Sequence, residues 1–308
     1  WACEASGQGL VGTQWTPGEQ DMAVQSELIN TNAGPFAIRD FGGRGPDLLF
    51  VHGTGHNLEV WSPLAQALRG CFRMVAFDMR GHGQTPAQST GPEQYWRDIE
   101  VLMAALGLRQ PLLVGHSTGG YAVSAHAASG GMCRGIVVLD GFTLDGRKTP
   151  EELKGWYLPR EQLWGLFRYG WVASAEEVER HIDDVCRQAP DDWLNAGIDL
   201  ALVAAFTRRS FMACPGGFVR RPVMDEIAVV SVPDPAAAIY PSMDLYDAIT
   251  VPAGFVLASG GLYGNREADL QRVVAARPNR HVLKCECGHN VHMQKPAEVA
   301  AFIRSTFL

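Results

Sequence analysis

Short apolar runs alternate with longer amphipathic segments along most of the chain. Six runs of five or six residues have the pattern of buried strands, namely 48–52, 73–78, 112–116, 136–140, 254–259 and 281–285. Five segments have helical periodicity, at 61–68, 95–106, 118–128, 268–276 and 296–307. Strands that alternate with helices in this way predict a mostly parallel, doubly wound α/β sheet.

One gap between predicted strands is too long for an ordinary connection. About 110 residues separate Asp140 from Val251, where the next strand begins, whereas the connections of compact domains are usually far shorter. We therefore predict an α/β core at 22–144 and 246–308, with a cap inserted at 145–245.

The predicted cap combines helix, loops and aromatic residues. Residues 174–187 have helical periodicity, whereas 214–221 and 232–241 are rich in Gly and Pro and are predicted to be loops. Its aromatic residues are Trp156, Tyr157, Trp164, Phe167, Tyr169, Trp171, Trp193 and Phe206. Most of them are expected to pack between cap helices, and a few, with Trp193 among them, to line a pocket.

Composition and charge favour a globular protein that acts on a small molecule. The chain has 308 residues, 46% of them hydrophobic, which is enough for one large domain with a complete core. Its formal net charge is -7 and its Lys and Arg residues are not clustered, which argues against a nucleic-acid partner. No apolar stretch reaches the roughly 18 residues of a membrane span.

The beginning of the chain has no apolar periodicity. Residues 1–21 are expected to be an N-terminal extension, either a disordered arm or a tag, and they lack the pattern of a signal peptide. We therefore expect a cytoplasmic protein without a membrane partner. The sequence leaves self-association into a homo-oligomer open.

The cysteines do not predict a structural framework. There are seven, an odd number, and they are scattered along the chain. Cys285 and Cys287 lie close to His289, but paired zinc ligands usually have at least two residues between them and a second pair elsewhere. We expect reduced thiols, no metal and no cofactor.

A candidate nucleophile lies between an apolar strand and an apolar helix. The motif Gly115-His116-Ser117-Thr118-Gly119 fits a sharp strand-to-helix turn, in which small neighbours leave room for Ser117. The alternative is a serine that occupies a turn by chance.

A second glycine-rich turn follows the first predicted α/β strand, at His52-Gly53-Thr54-Gly55. The amides of Thr54 and Thr118 are candidates for an oxyanion hole, while Gly53 and His56 are candidates for substrate contact. Alternatively, this turn serves chain geometry alone.

Together with Asp78-Met79-Arg80-Gly81-His82-Gly83-Gln84-Thr85, these motifs make the chain similar to the α/β-hydrolase superfamily over nearly everything after Met22. The resemblance implies an α/β-hydrolase fold and places the catalytic base in the Gly-His pair after the last strand, at His289. His292 is a close rival.

An imidazole base needs an acid that orients it and stabilises its cation. Most members of the superfamily carry that acid in the loop after the strand that ends here near Ser259, but residues 259–265 contain no carboxylate. Asp140 matches the position used by a minority, such as haloalkane dehalogenases and zearalenone lactonases. A merely structural role for Asp140 is the alternative, with Glu267, Asp269 and Glu286 as the other candidate acids.

These residues favour a serine hydrolase that cleaves an ester or lactone of a hydrophobic small molecule. An aspartate replaces the serine in haloalkane dehalogenases and epoxide hydrolases, so Ser117 argues against their covalent chemistry. The alternative is a cofactor-independent dioxygenase, because the chain also resembles the ring-cleaving enzymes that act on hydroxyquinolones. That resemblance lies in His116-Ser117, in Gly119-Gly120 and in the Arg134-Gly135-Ile136 step that leads to Asp140. A scaffold without catalytic activity is a third reading.

Overall fold

The computed structural model describes residues 26–149, 151–152, 167–230 and 234–308. The predicted N-terminal extension and three of the cap aromatics, Trp156, Tyr157 and Trp164, lie outside these described residues. Among the helices within the described ranges, none is long and apolar enough to cross a membrane.

An eight-stranded sheet forms the centre of the fold. Its strands are β1 (Glu27–Thr31), β2 (Gly34–Gly42), β3 (Asp47–Val51), β4 (Arg73–Phe77), β5 (Leu112–His116), β6 (Gly135–Leu139), β10 (Ala253–Gly260) and β11 (Arg280–Gly288). Their order across the sheet is β1-β2-β4-β3-β5-β6-β10-β11. The pairings β1–β2 and β2–β4 are antiparallel and the others are parallel. The six predicted strands and the doubly wound α/β fold are confirmed.

Helices cover both faces of this sheet. They are α1 (Ser62–Ala67), α2 (Gln94–Leu106), α3 (Thr118–Ala128), α7 (Glu267–Ala275), α8 (Val291–Gln294) and α9 (Pro296–Phe307). Alternate residues of β3 point to opposite faces, so that Leu48 and Phe50 pack with α1 and α9, and Leu49 and Val51 with α2 and α3. Because both faces are covered, β5 and β6 are buried at every position, which explains their nearly continuous apolar sequences.

The segment between β6 and β10 contains helices and a small sheet of its own. Its elements are β7 (Val172–Ala173), α4 (Ala175–Gln188), α5 (Leu200–Arg209), β8 (Phe211–Cys214), β9 (Gly217–Arg220) and α6 (Met224–Val230). The predicted helix at 174–187 is confirmed as α4, which begins with a capping box between Ser174 and Glu177.

The prediction of a loop at 214–221 is wrong. Strand β9 occupies half of this range and pairs with both β7 and β8 in a three-stranded antiparallel sheet. Pro215 and Gly216 form the tip of the β8–β9 hairpin, where Gly216 has a φ of +90° that few other residues adopt. The Gly and Pro residues therefore mark a tight turn between strands. In the other predicted loop, the described residues 234–241 contain no helix or strand.

Buried polar contacts attach one end of this segment to the core. Arg209, the last residue of α5, forms an ion pair with the fully buried Asp78, with 2.8 Å between Nη2 and Oδ2. The Asn57 side-chain amide donates to the Phe206 carbonyl, and the Gln84 side-chain amide donates to the Phe211 carbonyl. Removing one partner of a buried pair leaves the other unsatisfied, so these contacts hold α5 and the start of β8 against the loops that follow β3 and β4.

Candidate active site

Ser117 lies on a sharp turn between β5 and α3. Its backbone has φ +53° and ψ −122°, a combination that non-glycine residues rarely adopt. The surrounding backbone holds this conformation, because the Ser117 N–H donates to the Leu139 carbonyl at 3.1 Å and the Gly120 N–H donates to the Ser117 carbonyl at 2.8 Å. The turn presents Ser117 at the N-terminus of α3, where the unpaired N–H groups of the first helical turn favour negative charge.

Close backbone contacts around this turn require glycine. A Cβ atom on Gly115 would lie 2.1 Å from the Gly119 carbonyl oxygen, and one on Gly119 would lie 2.0 Å from the Val51 carbonyl oxygen. Gly53, predicted to contact substrate, lies against Ser117, since a Cβ there would be 2.8 Å from the Ser117 Cβ. The loop after β3 and the turn after β5 are therefore packed against each other.

His289 and Asp140 meet at the carboxyl ends of β11 and β6. The His289 Nδ1 and the Asp140 Oδ2 are 2.7 Å apart, and both side chains are buried. The Nδ1–H of His289 donates a hydrogen bond to the carboxylate, and in this tautomer the lone pair of the ring is on Nε2. Asp140 has a φ of +42°, a left-handed conformation that Asp tolerates better than most residues.

The end of β10 and the loop after it hold the Asp140 carboxylate. The Ala258 N–H donates to Oδ1 at 3.3 Å, and the Leu262 N–H donates to Oδ2 at 3.0 Å. Gly261 leaves room for the carboxylate, because a Cβ there would lie 2.2 Å from Oδ2. The end of β10 and the carboxylate-free loop after it thus supply backbone donors to the carboxylate of Asp140, which follows the neighbouring strand β6.

The other candidate acids form polar contacts elsewhere. Glu267 pairs with Lys284, Asp269 pairs with Arg266 and Arg272, and Glu286 accepts a hydrogen bond from Ser259.

The two predicted oxyanion residues are in direct contact. The hydroxyl groups of Thr54 and Thr118 are 2.8 Å apart, which brings the loop after β3 to the start of α3. Thr118 is the first residue of α3, so its N–H has no acceptor within the helix and is available to a ligand.

The two remaining predicted contact residues differ in exposure. His56 packs between the ring of His116 at 5.7 Å and the ring of Phe206 at 5.6 Å, and burial together with the nearby His289 lowers its pKa to about 3. Trp193 is 58% exposed, and its ring centroid is 6.4 Å from that of His289. Trp193 is therefore a largely exposed ring beside His289, while His56 is held between β5 and α5 as a neutral imidazole.

His292 and His116 have structural positions beside His289. His292 is fully buried, with ring centroids 4.6 Å from Trp61 and 4.3 Å from His116, so it belongs to the packed interior. His116 Nε2 donates to the backbone carbonyl of His289 at 3.0 Å. The sequence analysis missed this contact, although His116 directly precedes Ser117 in the elbow motif.

Five histidines whose pKa values lie well below the ordinary value should make the fold sensitive to acid. Burial is the main cause that lowers the pKa of His56 to about 3 and of His82 to about 4, and it holds the pKa values of His52, His116 and His292 well below 6.5. As the pH falls below about 6.5, the unfolded chain therefore binds protons that the folded protein does not bind. Each such histidine should lower the free energy of unfolding by about 1.4 kcal/mol per pH unit until its folded pKa is reached.

Urea unfolding followed by circular dichroism between pH 7.5 and 5 measures this effect. The free energy of unfolding should be nearly constant above pH 7 and fall steeply below pH 6, before most carboxylates titrate. A free energy of unfolding that stays constant from pH 7.5 to 5 would contradict the prediction.

In the described part of the chain, no group of three or more His, Cys, Asp or Glu side chains converges as metal ligands do. Cys285 is buried in β11 and Cys287 is half-buried two residues later. The thiol of Cys287 contacts the Cys285 carbonyl at 3.9 Å.

Known proteins resemble the chain in sequence and in fold. Protein phosphatase methylesterase 1 of Bos taurus is 33% identical in an alignment of 148 residues, and the match covers 43% of this chain and 38% of that protein. The 2-(acetamidomethylene)succinate hydrolase of Mesorhizobium japonicum is 39% identical over 101 residues, 32% of this chain and 36% of that protein. Each match therefore spans less than two fifths of the relative's own length.

Solved structures match over a larger share of the chain. The crystal structure of E-2-(acetamidomethylene)succinate hydrolase has a TM-score of 0.67 and 22% sequence identity, covering 92% of this chain and 98% of that one. The enol-lactonase from Burkholderia xenovorans has a TM-score of 0.58 and 19% identity, covering 91% of this chain and 99% of that one. A profile described as the Alpha/beta hydrolase family matches residues 48–302, most of the sequence, and the chain belongs to this family.

Proposed function

We propose that the protein is a serine hydrolase that cleaves an ester or lactone of a hydrophobic small molecule through an acyl-enzyme. The observation that supports this most strongly is the 2.7 Å hydrogen bond between His289 Nδ1 and Asp140 Oδ2. It fixes the tautomer in which Nε2 can accept a proton, in a fold whose elbow carries Ser117.

In this mechanism Ser117 Oγ attacks the substrate carbonyl while His289 Nε2 takes its proton. Asp140 stabilises the imidazolium that forms, and the N–H groups of Thr54 and Thr118 stabilise the oxyanion. His289 then returns the proton to the alkoxide oxygen as the carbonyl re-forms; the alcohol departs from an ester, whereas it stays on the acyl chain of an opened lactone. Water, deprotonated by His289, attacks the acyl-enzyme and releases the acid.

Apolar side chains beside the catalytic pair support a hydrophobic substrate. Trp193 and Leu262 are 58% and 54% exposed, Trp193 next to His289 and Leu262 in the loop that binds Asp140. Exposed apolar groups beside polar catalytic groups are typical of small-molecule sites. The names of the similar proteins, which include a methylesterase and an enol-lactonase, are compatible with ester or lactone cleavage.

Labelling with a fluorophosphonate tests this function, because the probe forms a covalent bond with an activated serine. Intact mass should show one adduct on the wild type and on Ser129→Ala, a control at the C-terminal end of α3, and none on Ser117→Ala. A folded wild-type protein that is neither labelled nor able to hydrolyse aryl esters would contradict the proposal. Oxygen uptake with hydroxylated aromatic substrates would then favour the cofactor-independent dioxygenase.

Gly261→Ala should lower kcat/KM for ester hydrolysis about 10- to 100-fold. The added methyl group would occupy the space of the Asp140 carboxylate, so the acid and His289 must shift, and small displacements of catalytic groups have effects of this size. Steady-state kinetics with an aryl ester measure the change. Gly91→Ala is the matched control, because a Cβ at Gly91 has no atom within 4 Å, and equal losses in both variants would contradict the assigned role of Gly261.

A further inference from the structure

One turn of the segment between β6 and β10 lies against the end of β11. This Trp193 turn, residues 192–196, is closed by the Ala196 N–H, which donates to the Asp192 carbonyl at 2.8 Å. The carbonyl oxygen of Trp193 would lie 3.4 Å from a Cβ atom on Gly288, the last residue of β11. The turn and the end of the strand are therefore close to each other at the backbone.

Gln294 bridges the Trp193 turn and Gly288 with a single side chain. Its Oε1 accepts a hydrogen bond from the Gly288 N–H at 2.7 Å, and its Nε2 donates to the Ala196 carbonyl at 2.6 Å. A backbone N–H can only donate and a carbonyl can only accept, so these two partners fix the orientation of the amide. Gln294 thus holds the residue before His289 and the turn that carries Trp193 at the same time.

Asn290 attaches the Trp193 turn at a second point. Its Nδ2 donates to the Leu194 carbonyl at 2.8 Å, two residues before the carbonyl that Gln294 binds. The N–H of Gln294 donates to the carbonyl of Asn290 at 3.1 Å, so the two side chains lie one helical turn apart on the same side of α8. Two attached carbonyls leave the Trp193 turn little freedom to shift relative to α8.

The ring of Trp193 depends on this attachment for its place beside His289. It is 58% exposed, and its centroid is 6.4 Å from that of His289. Packing holds a largely exposed side chain only weakly, so the position of the ring follows that of the backbone that carries it. A displacement of about 1 Å near the reacting groups can lower a rate about 100-fold.

We infer that Gln294 is a positioning residue, which keeps Trp193 at a fixed place beside His289 during ester or lactone cleavage. This inference rests on the proposed hydrolase function and adds that the exposed ring beside the base is attached to the loop after β11. The Trp193 turn then stays with His289 and does not open as a lid.

A double-mutant cycle tests whether Gln294 acts through Trp193. Gln294→Met removes both hydrogen bonds at nearly unchanged side-chain length, and Trp193→Ala removes the ring; each should lower kcat/KM for an aryl ester by about 10-fold or more. The double variant should be no more than about threefold below the less active single variant, because both substitutions disrupt one arrangement, whereas independent effects would multiply to about 100-fold. Gln271→Met, at an exposed position of α7, is the matched control and should keep the wild-type kcat/KM.

NMR tests the bridge without any substrate. In Gln294→Met, the Gly288 N–H should exchange with solvent at least about 10-fold faster, because it loses its acceptor. The indole N–H signal of Trp193, assigned by its absence in Trp193→Ala, should move in the same variant. Gln294→Glu keeps an acceptor for the Gly288 N–H and loses the amide donor, so it should move the Trp193 signal and leave the Gly288 exchange slow.

The outcomes separate the positioning role from the proposed function. A kcat/KM within about threefold of the wild type in either single variant, or losses that multiply in the double variant, overturns the positioning role of Gln294. An unchanged Gly288 exchange together with an unmoved Trp193 signal in Gln294→Met also overturns it. If hydrolysis is absent or does not depend on Ser117, the proposed function fails and the catalytic effect of Gln294 fails with it, while the NMR signals still decide whether Gln294 fixes Trp193.

Discussion

Ser117→Ala should lower kcat/KM for an aryl ester by about 10⁴- to 10⁶-fold and leave the protein folded. The substitution removes only the Oγ atom, and without it no acyl-enzyme forms; losses of a catalytic serine are of this size. Alanine has the same Cβ as serine, so the strain of the backbone at φ +53° does not change. Steady-state kinetics and a thermal unfolding curve measure the two parts of this expectation.

Ser129→Ala provides the comparison for this substitution. Ser129 follows α3 and its hydroxyl donates to the His126 carbonyl, far along the helix from the elbow. Its kcat/KM should stay within about twofold of the wild type, as is usual for surface substitutions. A kcat/KM of Ser117→Ala above one tenth of the wild-type value would show that Ser117 is not the nucleophile.

The sheet could be predicted from the sequence because its central strands are buried on both faces. Strands such as β5 and β6 must then be apolar at nearly every position, and such runs stand out from the helical periodicity around them. The small three-stranded sheet between β6 and β10 gave a weaker signal. Its strands have two to four residues, and the Pro-Gly tip of the β8–β9 hairpin resembles an irregular loop in sequence.

The choice between His289 and His292 depends on contacts that sequence spacing does not reveal. The two histidines are three residues apart, yet one contacts Asp140 and the other packs against Trp61 and His116. The assignment of the acid also depends on a contact that sequence spacing does not reveal, because Asp140 and His289 are 149 residues apart in sequence. Their contact arises because β10 lies between β6 and β11 in the sheet, so that all three strands end at one edge.

The structure also gives a physical reason why an acid after β6 can substitute for one after β10. The two strands are parallel neighbours, so the residue after β6 and the loop after β10 lie side by side. Ala258 and Leu262 of that region donate backbone hydrogen bonds to Asp140, and Gly261 leaves the space that its carboxylate fills. The carboxylate and its backbone donors come from different strands but meet at one place.

Asp140→Asn should lower kcat/KM for an aryl ester by about 10³- to 10⁴-fold, and this effect tests the assigned acid directly. Asparagine nearly matches the size of aspartate and also tolerates the φ of +42°, so the backbone need not change. The N–H groups of Ala258 and Leu262 and the Nδ1 of His289 all point at the two carboxylate oxygens, and an amide can accept at only one of these positions. The variant therefore loses the negative charge that stabilises the imidazolium and a buried hydrogen bond.

Three variants of the other candidate acids complete this prediction. Glu267→Gln, Asp269→Asn and Glu286→Gln each neutralise a carboxylate whose partners lie away from His289, namely Lys284, two arginines and Ser259. Each should keep kcat/KM within about threefold of the wild type. These contacts are at or near the surface, so they contribute little to the free energy of unfolding, and none of them involves His289. Kinetics at one pH, with folding checked by circular dichroism, compare all four variants. A large loss in Glu286→Gln together with a small loss in Asp140→Asn would instead assign the role of the acid to Glu286 on β11, because the N–H at His289 Nδ1 needs an anionic acceptor for the serine to be activated.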